Sequence, residues 1–155
     1  IIANTVNGLI KSGKIKSFGV SNFTTNQMEM FKGKVEILYN QINLSLTHSE
    51  YMFDGTLEYM QTNNILPMAY SPLGSYFKSE NSKLKMVVDR LKNKYGCTDY
   101  ELLICWLLNH PSKIHPVIGT TKPDRIKKSI KSLKIQIDLI DWFELLEAHL
   151  GNRVP

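Results

Sequence analysis

Short apolar runs alternate along this chain with stretches whose apolar residues repeat at helical spacing. Four of the runs read as strands: Ile15 to Val20, Ile37 to Ile42, Leu66 to Tyr70 and Ile114 to Ile118. Helix signals follow each of them. Thr24 with Gln27 three residues on forms a capping box, and Phe23 and Met28 are placed to act as its hydrophobic staple. The stretch from Asp54 to Asn63 reads as a second helix. Leu84, Val87, Val88, Leu91 and Tyr95 share one face of a third, which Gly96 ends. Thr98 and Glu101 form another capping box. It opens a helix through Leu108 that has almost no polar face and is predicted to be deeply packed. His110-Pro111 stops that helix. Pro123 suits a first helical position, with Ile126, Ile130 and Leu133 as the predicted buried stripe. A last helix starts near Asp138, buries Trp142, Leu145 and Leu146, and ends at Gly151.

Strands that alternate with helices predict an α/β fold with a parallel sheet and helices outside it. Four βα units make half of an eight-stranded barrel, and half a barrel leaves two strand edges open. The chain also begins on Ile1-Ile2-Ala3, within an apparent helix and without an initiating Met. Residues 1–155 are therefore expected to form a single incomplete domain, the C-terminal half of a (β/α)8 TIM barrel, with the N-terminal half absent.

Composition narrows the functions. With 155 residues, 43% hydrophobic and 21% charged, the chain is long enough to bury a core and is not disordered. No apolar run is long enough to span a bilayer, so no membrane partner is expected. The net charge of +5 is spread along the chain as a solvated surface. Aromatic and basic residues do not interleave in a stripe, which argues against nucleic acid as a partner. Cys97 and Cys105 match no zinc or redox spacing and fit a reducing cytoplasm. No histidine has a metal-spaced partner, and no metal site is expected.

The candidate chemistry lies where strands end, since parallel α/β folds gather their active groups at the carboxyl ends of strands. Ser21 and Asn22 follow the first strand, and Gln41 lies within the second. Tyr70-Ser71-Pro72-Leu73-Gly74 closes the third, and Gly119-Thr120-Thr121-Lys122-Pro123-Asp124-Arg125 follows the fourth. Asn22, Ser21 and Gln41 can bond a carboxamide. Tyr70 can stack a flat ring. The Gly119 to Arg125 segment offers backbone N–H groups at a helix start, with Lys122 and Arg125, for phosphate. Plainer roles exist for each residue alone: a strand-to-helix turn for Ser21-Asn22, barrel filling for Tyr70, and satisfaction of backbone groups for Gln41.

Taken in order, Gly19-Val20-Ser21-Asn22-Phe23, Asn40-Gln41-Ile42, Tyr70-Ser71-Pro72-Leu73-Gly74 and Pro116-Val117-Ile118-Gly119-Thr120-Thr121-Lys122-Pro123-Asp124-Arg125-Ile126 resemble the aldo/keto reductase superfamily. Trp106-Leu107-Leu108-Asn109-His110-Pro111 resembles a bacterial subgroup of its oxidoreductases. The resemblance implies an NADPH-dependent barrel that reduces small aldehydes or ketones. It implies that Ser21, Asn22 and Gln41 bind the nicotinamide carboxamide and that Tyr70 stacks on the nicotinamide ring. It puts Ser71, Leu73 and Gly74 along the pyrophosphate, and Thr120, Thr121, Lys122 and Arg125 around the adenosine 2′-phosphate. Ser129 stands where many relatives carry an adenine-contacting Asn, and Gly119 where some carry a phosphate-binding Lys. The superfamily's Asp, Tyr, Lys and His tetrad belongs to the first four barrel units, so no catalytic residue is assigned in this chain and the segment alone is expected to be inactive. An NADPH-binding regulatory subunit with the same barrel is the alternative.

Overall fold

A computed structural model describes residues 1–154. Four parallel strands form one sheet in chain order: β1 (Gly19–Ser21), β2 (Tyr39–Asn43), β3 (Leu66–Tyr70) and β4 (His115–Pro116). The helices are α1 (Ile2–Lys11), α2 (Thr25–Glu29), α3 (Thr56–Thr62), α4 (Ser82–Tyr95), α5 (Asp99–Leu108), α6 (Pro123–Ser132) and α7 (Leu139–Leu150). Each parallel pair needs a crossover, and the helices supply it.

Burial alternates strictly along β2 and β3. Asn40, Ile42, Pro67 and Ala69 point under the helices and are buried, whereas Tyr39, Gln41, Asn43, Leu66, Met68 and Tyr70 on the other face are only half-buried. All-parallel sheets are normally covered on both faces. This sheet is covered on one, as expected of half a barrel opened along its length, with β1 and β4 as edges.

The core lies between the covered face and the helices. Trp106 of α5 and Trp142 of α7 stack with centroids 4.8 Å apart and planes 7° from parallel. Each indole N–H donates to the other residue's backbone carbonyl, at 3.1 and 2.8 Å. α7 is also clasped to α4. Lys94 Nζ donates to Asp138 at 2.8 Å and to Asp141 at 2.6 Å, while the Tyr95 hydroxyl donates to Asp141 and accepts from Asp138 N. Burial alone would raise the Asp141 carboxyl, but the bonds from Lys94 and Tyr95 outweigh it and hold it below the usual carboxylate range. The bonds to Asp138 and Asp141 push Lys94 above its ordinary value.

Both capping boxes form, at Thr24–Gln27 and Thr98–Glu101. Gly96 and Gly151 close α4 and α7 in the left-handed region. Three expectations are corrected. β1 begins at Gly19 rather than Ile15, because Gly13, at φ +70°, turns the chain and the N–H groups of Lys14 and Ile15 both return to Leu9 O. β4 is reduced to two residues, since Pro116 has no N–H to give, although Val117 N still reaches Ala69 O at 2.8 Å. The α6 stripe is not buried: Ile126, Ile130 and Leu133 are 44, 56 and 63% exposed. They line an open apolar groove beside the β4 edge, where the sheet has no further strand to carry a covering layer.

Candidate functional site

Strand register sets the first half of the site. Ser21 pairs with Gln41, and Gln41 with Met68, so these side chains share the uncovered face. Ser21 Oγ and Asn22 N both donate to Gln41 O, at 3.1 and 2.9 Å. That bond turns the chain sharply: Asn22 sits at φ +55°, a left-handed conformation that Asn tolerates better than most residues. Fully buried Asn40 holds the turn from beneath. Its Oδ1 accepts from Phe23 N at 3.3 Å and its Nδ2 donates to Phe23 O at 2.9 Å. The exposed Asn22 side chain is thus presented by a fixed backbone.

The loop after β3 is equally constrained. Ser71 lies at φ +51° and Gly74 at φ +52°, joined by Gly74 N to Ser71 O at 2.8 Å. Gly74 passes very close to the loop after β2: a Cβ there would stand 2.1 Å from Thr47 Oγ1 and 2.3 Å from Ser45 Oγ. Thr47 Oγ1 accepts from Ser75 N at 2.8 Å and ties the two loops together.

The fourth loop leads into α6. Lys122 N donates to Thr120 Oγ1 at 3.2 Å, Pro123 has no N–H, and Arg125 N donates to Lys122 O at 3.0 Å. Two amides are thus engaged within the turn, whereas the N–H groups of Gly119, Thr120, Thr121 and Asp124 meet no acceptor among the described residues. Arg125 makes no ion pair among the described residues.

A cleft of about 430 Å³ joins the last two loops, with Tyr70, Ser71, Leu73, Gly74, Thr120 and Arg125 in its walls. Ser21, Asn22 and Gln41 lie at the neighbouring strand ends, outside that lining. Thr121 and Lys122 are exposed and also outside it. Sequence reasoning passed over Ser45 and Thr47, which, like Asn40, support the loops rather than face the cleft. It also passed over Tyr100, a second aromatic in the cleft wall. The position of Tyr100 in the first turn of a capped helix was the available signal. No group of three His, Cys, Asp or Glu side chains that could hold a metal ion occurs among the described residues. No helix is long and apolar enough to cross a membrane.

Comparison with known proteins places this geometry. Residues 2–149 match the aldo/keto reductase family. A 6-dehydroglucose reductase of Agrobacterium fabrum is 34% identical over 153 residues, which cover 96% of this chain and 52% of the relative. Oxidoreductase YdhF of Escherichia coli is 31% identical over 163 residues, covering 99% of this chain and 54% of the relative. The chain thus spans about half the length of the curated relatives it matches. Among solved structures, an aldo/keto reductase from Klebsiella pneumoniae, crystallised with NADP and acetate, superposes with a TM-score of 0.82 at 22% identity, over 99% of this chain and 54% of that one. An aldose reductase from Giardia lamblia gives 0.79 at 24% identity, over 99% of this chain and 51% of that one.

Proposed function

This chain belongs to the aldo/keto reductase family, and from that premise we propose that it forms the NADPH-binding half of a reductase acting on small aldehydes or ketones. The observation that carries the proposal is the single cleft that gathers Tyr70, Ser71, Leu73 and Gly74 with Thr120 and Arg125, beside Ser21 and Gln41. A flat aromatic side chain, close-approaching backbone, hydroxyls and an unpaired guanidinium suit a ring, a pyrophosphate and a terminal phosphate in turn. Gly74 adds a fit of its own, since no larger residue could hold the loop this close to Ser45 and Thr47.

In this reading Asn22 and Gln41 donate to and accept from the nicotinamide carboxamide, with Ser21 beside them. Tyr70 covers one face of the ring and leaves the other to the substrate. Ser71, Leu73 and Gly74 flank the pyrophosphate. Arg125 and Thr120 hold the 2′-phosphate, with Lys122 and Thr121 adding charge and a hydroxyl from the rim. The bound dinucleotide supplies hydride to the carbonyl carbon. No side chain of this chain is assigned to proton transfer, so the segment by itself binds the cofactor without turnover.

The test is calorimetric titration of the chain with NADPH and NADH, followed by a panel of small carbonyls on the protein that carries it. Binding of NADPH in preference to NADH, with oxidation of NADPH across part of the panel, supports the reading. Equal and negligible binding of both dinucleotides overturns it. Tight NADPH binding without turnover favours a regulatory subunit instead.

A further inference from the structure

We propose that Tyr100 is a positioning residue for Arg125, and through it a determinant of preference for a 2′-phosphorylated dinucleotide; the inference rests on the cofactor reading above. It starts from the looseness of α6. The apolar side chains of that helix, Ile126 and Ile130, are 44 and 56% exposed, it has no side-chain cap, and its N-terminal residue is a proline. Apolar packing on the sheet therefore does not settle where its first turn sits.

A hydrogen-bonded chain settles it instead. The Tyr100 and Ser129 hydroxyl oxygens lie 2.7 Å apart. Ser129 has one hydroxyl proton, which it donates to Arg125 O at 2.9 Å. The proton between the two hydroxyls must then come from Tyr100. The sequence of donors runs one way: Tyr100 O–H to Ser129 Oγ, Ser129 O–H to Arg125 C=O. On the other side, Arg125 N–H donates to Lys122 O.

Tyr100 is a firm origin for that chain. It stands in the first turn of α5, whose capping box joins Thr98 to a buried Glu101 and whose next six residues are all buried. The best-packed helix of the molecule thus reaches across to one of the least packed. It grips it four residues beyond Arg125, the side chain that would meet phosphate. Tyr100 and Arg125 also line the same cleft, so the grip acts within the site. Charge-assisted bonds to phosphate depend on the direction of the guanidinium, and a turn free to shift would spread that direction over many orientations.

The experiment measures dissociation constants of adenosine 2′,5′-bisphosphate and adenosine 5′-monophosphate by calorimetry, in the protein that carries this chain. The monophosphate constant divided by the bisphosphate constant reads recognition of the 2′-phosphate alone, and the melting temperature is followed beside it. Y100F and S129A should each lower the ratio about three- to tenfold, the worth of a single hydrogen bond. S129T, which keeps the hydroxyl, should restore it. A merely structural role would lower the melting temperature and weaken both ligands alike, with the ratio unchanged; that result overturns the inference while the cofactor reading stands. S129A alters a partly exposed position on α6 and decides the matter if Y100F fails to fold. A wild-type protein with no preference for the bisphosphate would overturn the cofactor reading, and this inference with it.

Discussion

Replacing Gly74 by Ala tests the close approach of the two loops that floor the cleft. Gly74 lies at φ +52°, where an L-residue costs about 1–2 kcal/mol. The added methyl would stand 2.1 Å from Thr47 Oγ1, 2.3 Å from Ser45 Oγ and 3.1 Å from Ser45 Cβ. Real Cβ atoms essentially never approach a neighbour within 3.0 Å, so something must move. Ser45 is fully buried and cannot swing into solvent. Thr47 can move only by giving up its 2.8 Å bond from Ser75 N, worth about 1 kcal/mol. Overpacking of this kind costs about 1–3 kcal/mol. The sum is about 3–6 kcal/mol, read as a fall in the urea midpoint followed by far-ultraviolet circular dichroism. A companion substitution separates the causes. Thr47→Ala in the Gly74→Ala background removes the nearest clash and should recover part of the loss, leaving the Ser45 contact and the backbone cost. A Gly74→Ala protein within about 0.5 kcal/mol of wild type, well inside the spread of ordinary surface substitutions, would refute the reasoning. So would a Thr47→Ala change that adds to the damage instead of relieving it.

Three further outcomes are expected. Arg125→Ala should weaken NADPH by about 1.5–3 kcal/mol, the range for a charged hydrogen bond, and leave NADH nearly unchanged; fluorescence titration of both cofactors checks this, and equal losses would contradict the 2′-phosphate assignment. Asn40→Ala strips two partners from the Phe23 backbone and should destabilise the protein by about 2–4 kcal/mol in chemical denaturation, with faster amide exchange at Asn22 and Phe23. On the acid side Asp141 and His110 act in the same direction, as does His149, which burial also holds below its ordinary value. Asp141 is held below its ordinary value, so its contribution is complete above about pH 4 and fades as pH falls through the lower folded-state value. Burial holds His110 below its ordinary value too, so its contribution is complete above about pH 6.5 and fades on acidification through its own folded-state value. Melting temperatures from pH 8 to 3 should therefore fall in two stages, with His110→Gln reducing the first, which His149 shares, and Asp141→Asn the second, which Glu101 shares.

Local chemistry made most of the framework legible. Capping boxes at Thr24 and Thr98, glycines at 96 and 151, and the proline at 123 each act within a few residues, and all appear as read. The third strand matches residue for residue, since Leu66 to Tyr70 is bounded by turn-forming neighbours on both sides. What failed depended on distant partners. The periodicity of Ile126, Ile130 and Leu133 identified a helix and its apolar face, but burial needs a surface to meet, and none stands beyond β4. Ile15 looked like strand by composition, yet its amide was already engaged in closing α1. In the site, residues at strand ends could be found because register carries them to one rim. Ser45, Thr47 and Tyr100 could not, nor could the supporting role of Asn40, because their importance lies in the backbone groups and hydroxyls they meet across gaps in sequence.

The chain has two tryptophans, and both stand face to face at the seam of α5 and α7. All of its indole emission therefore originates from one spot. Parallel rings at that spacing should couple optically and produce a paired signal in near-ultraviolet dichroism. That signal would vanish as soon as the last helix lifted away, even with the sheet intact. The molecule carries a built-in gauge of whether its C-terminal end is docked, readable without any label.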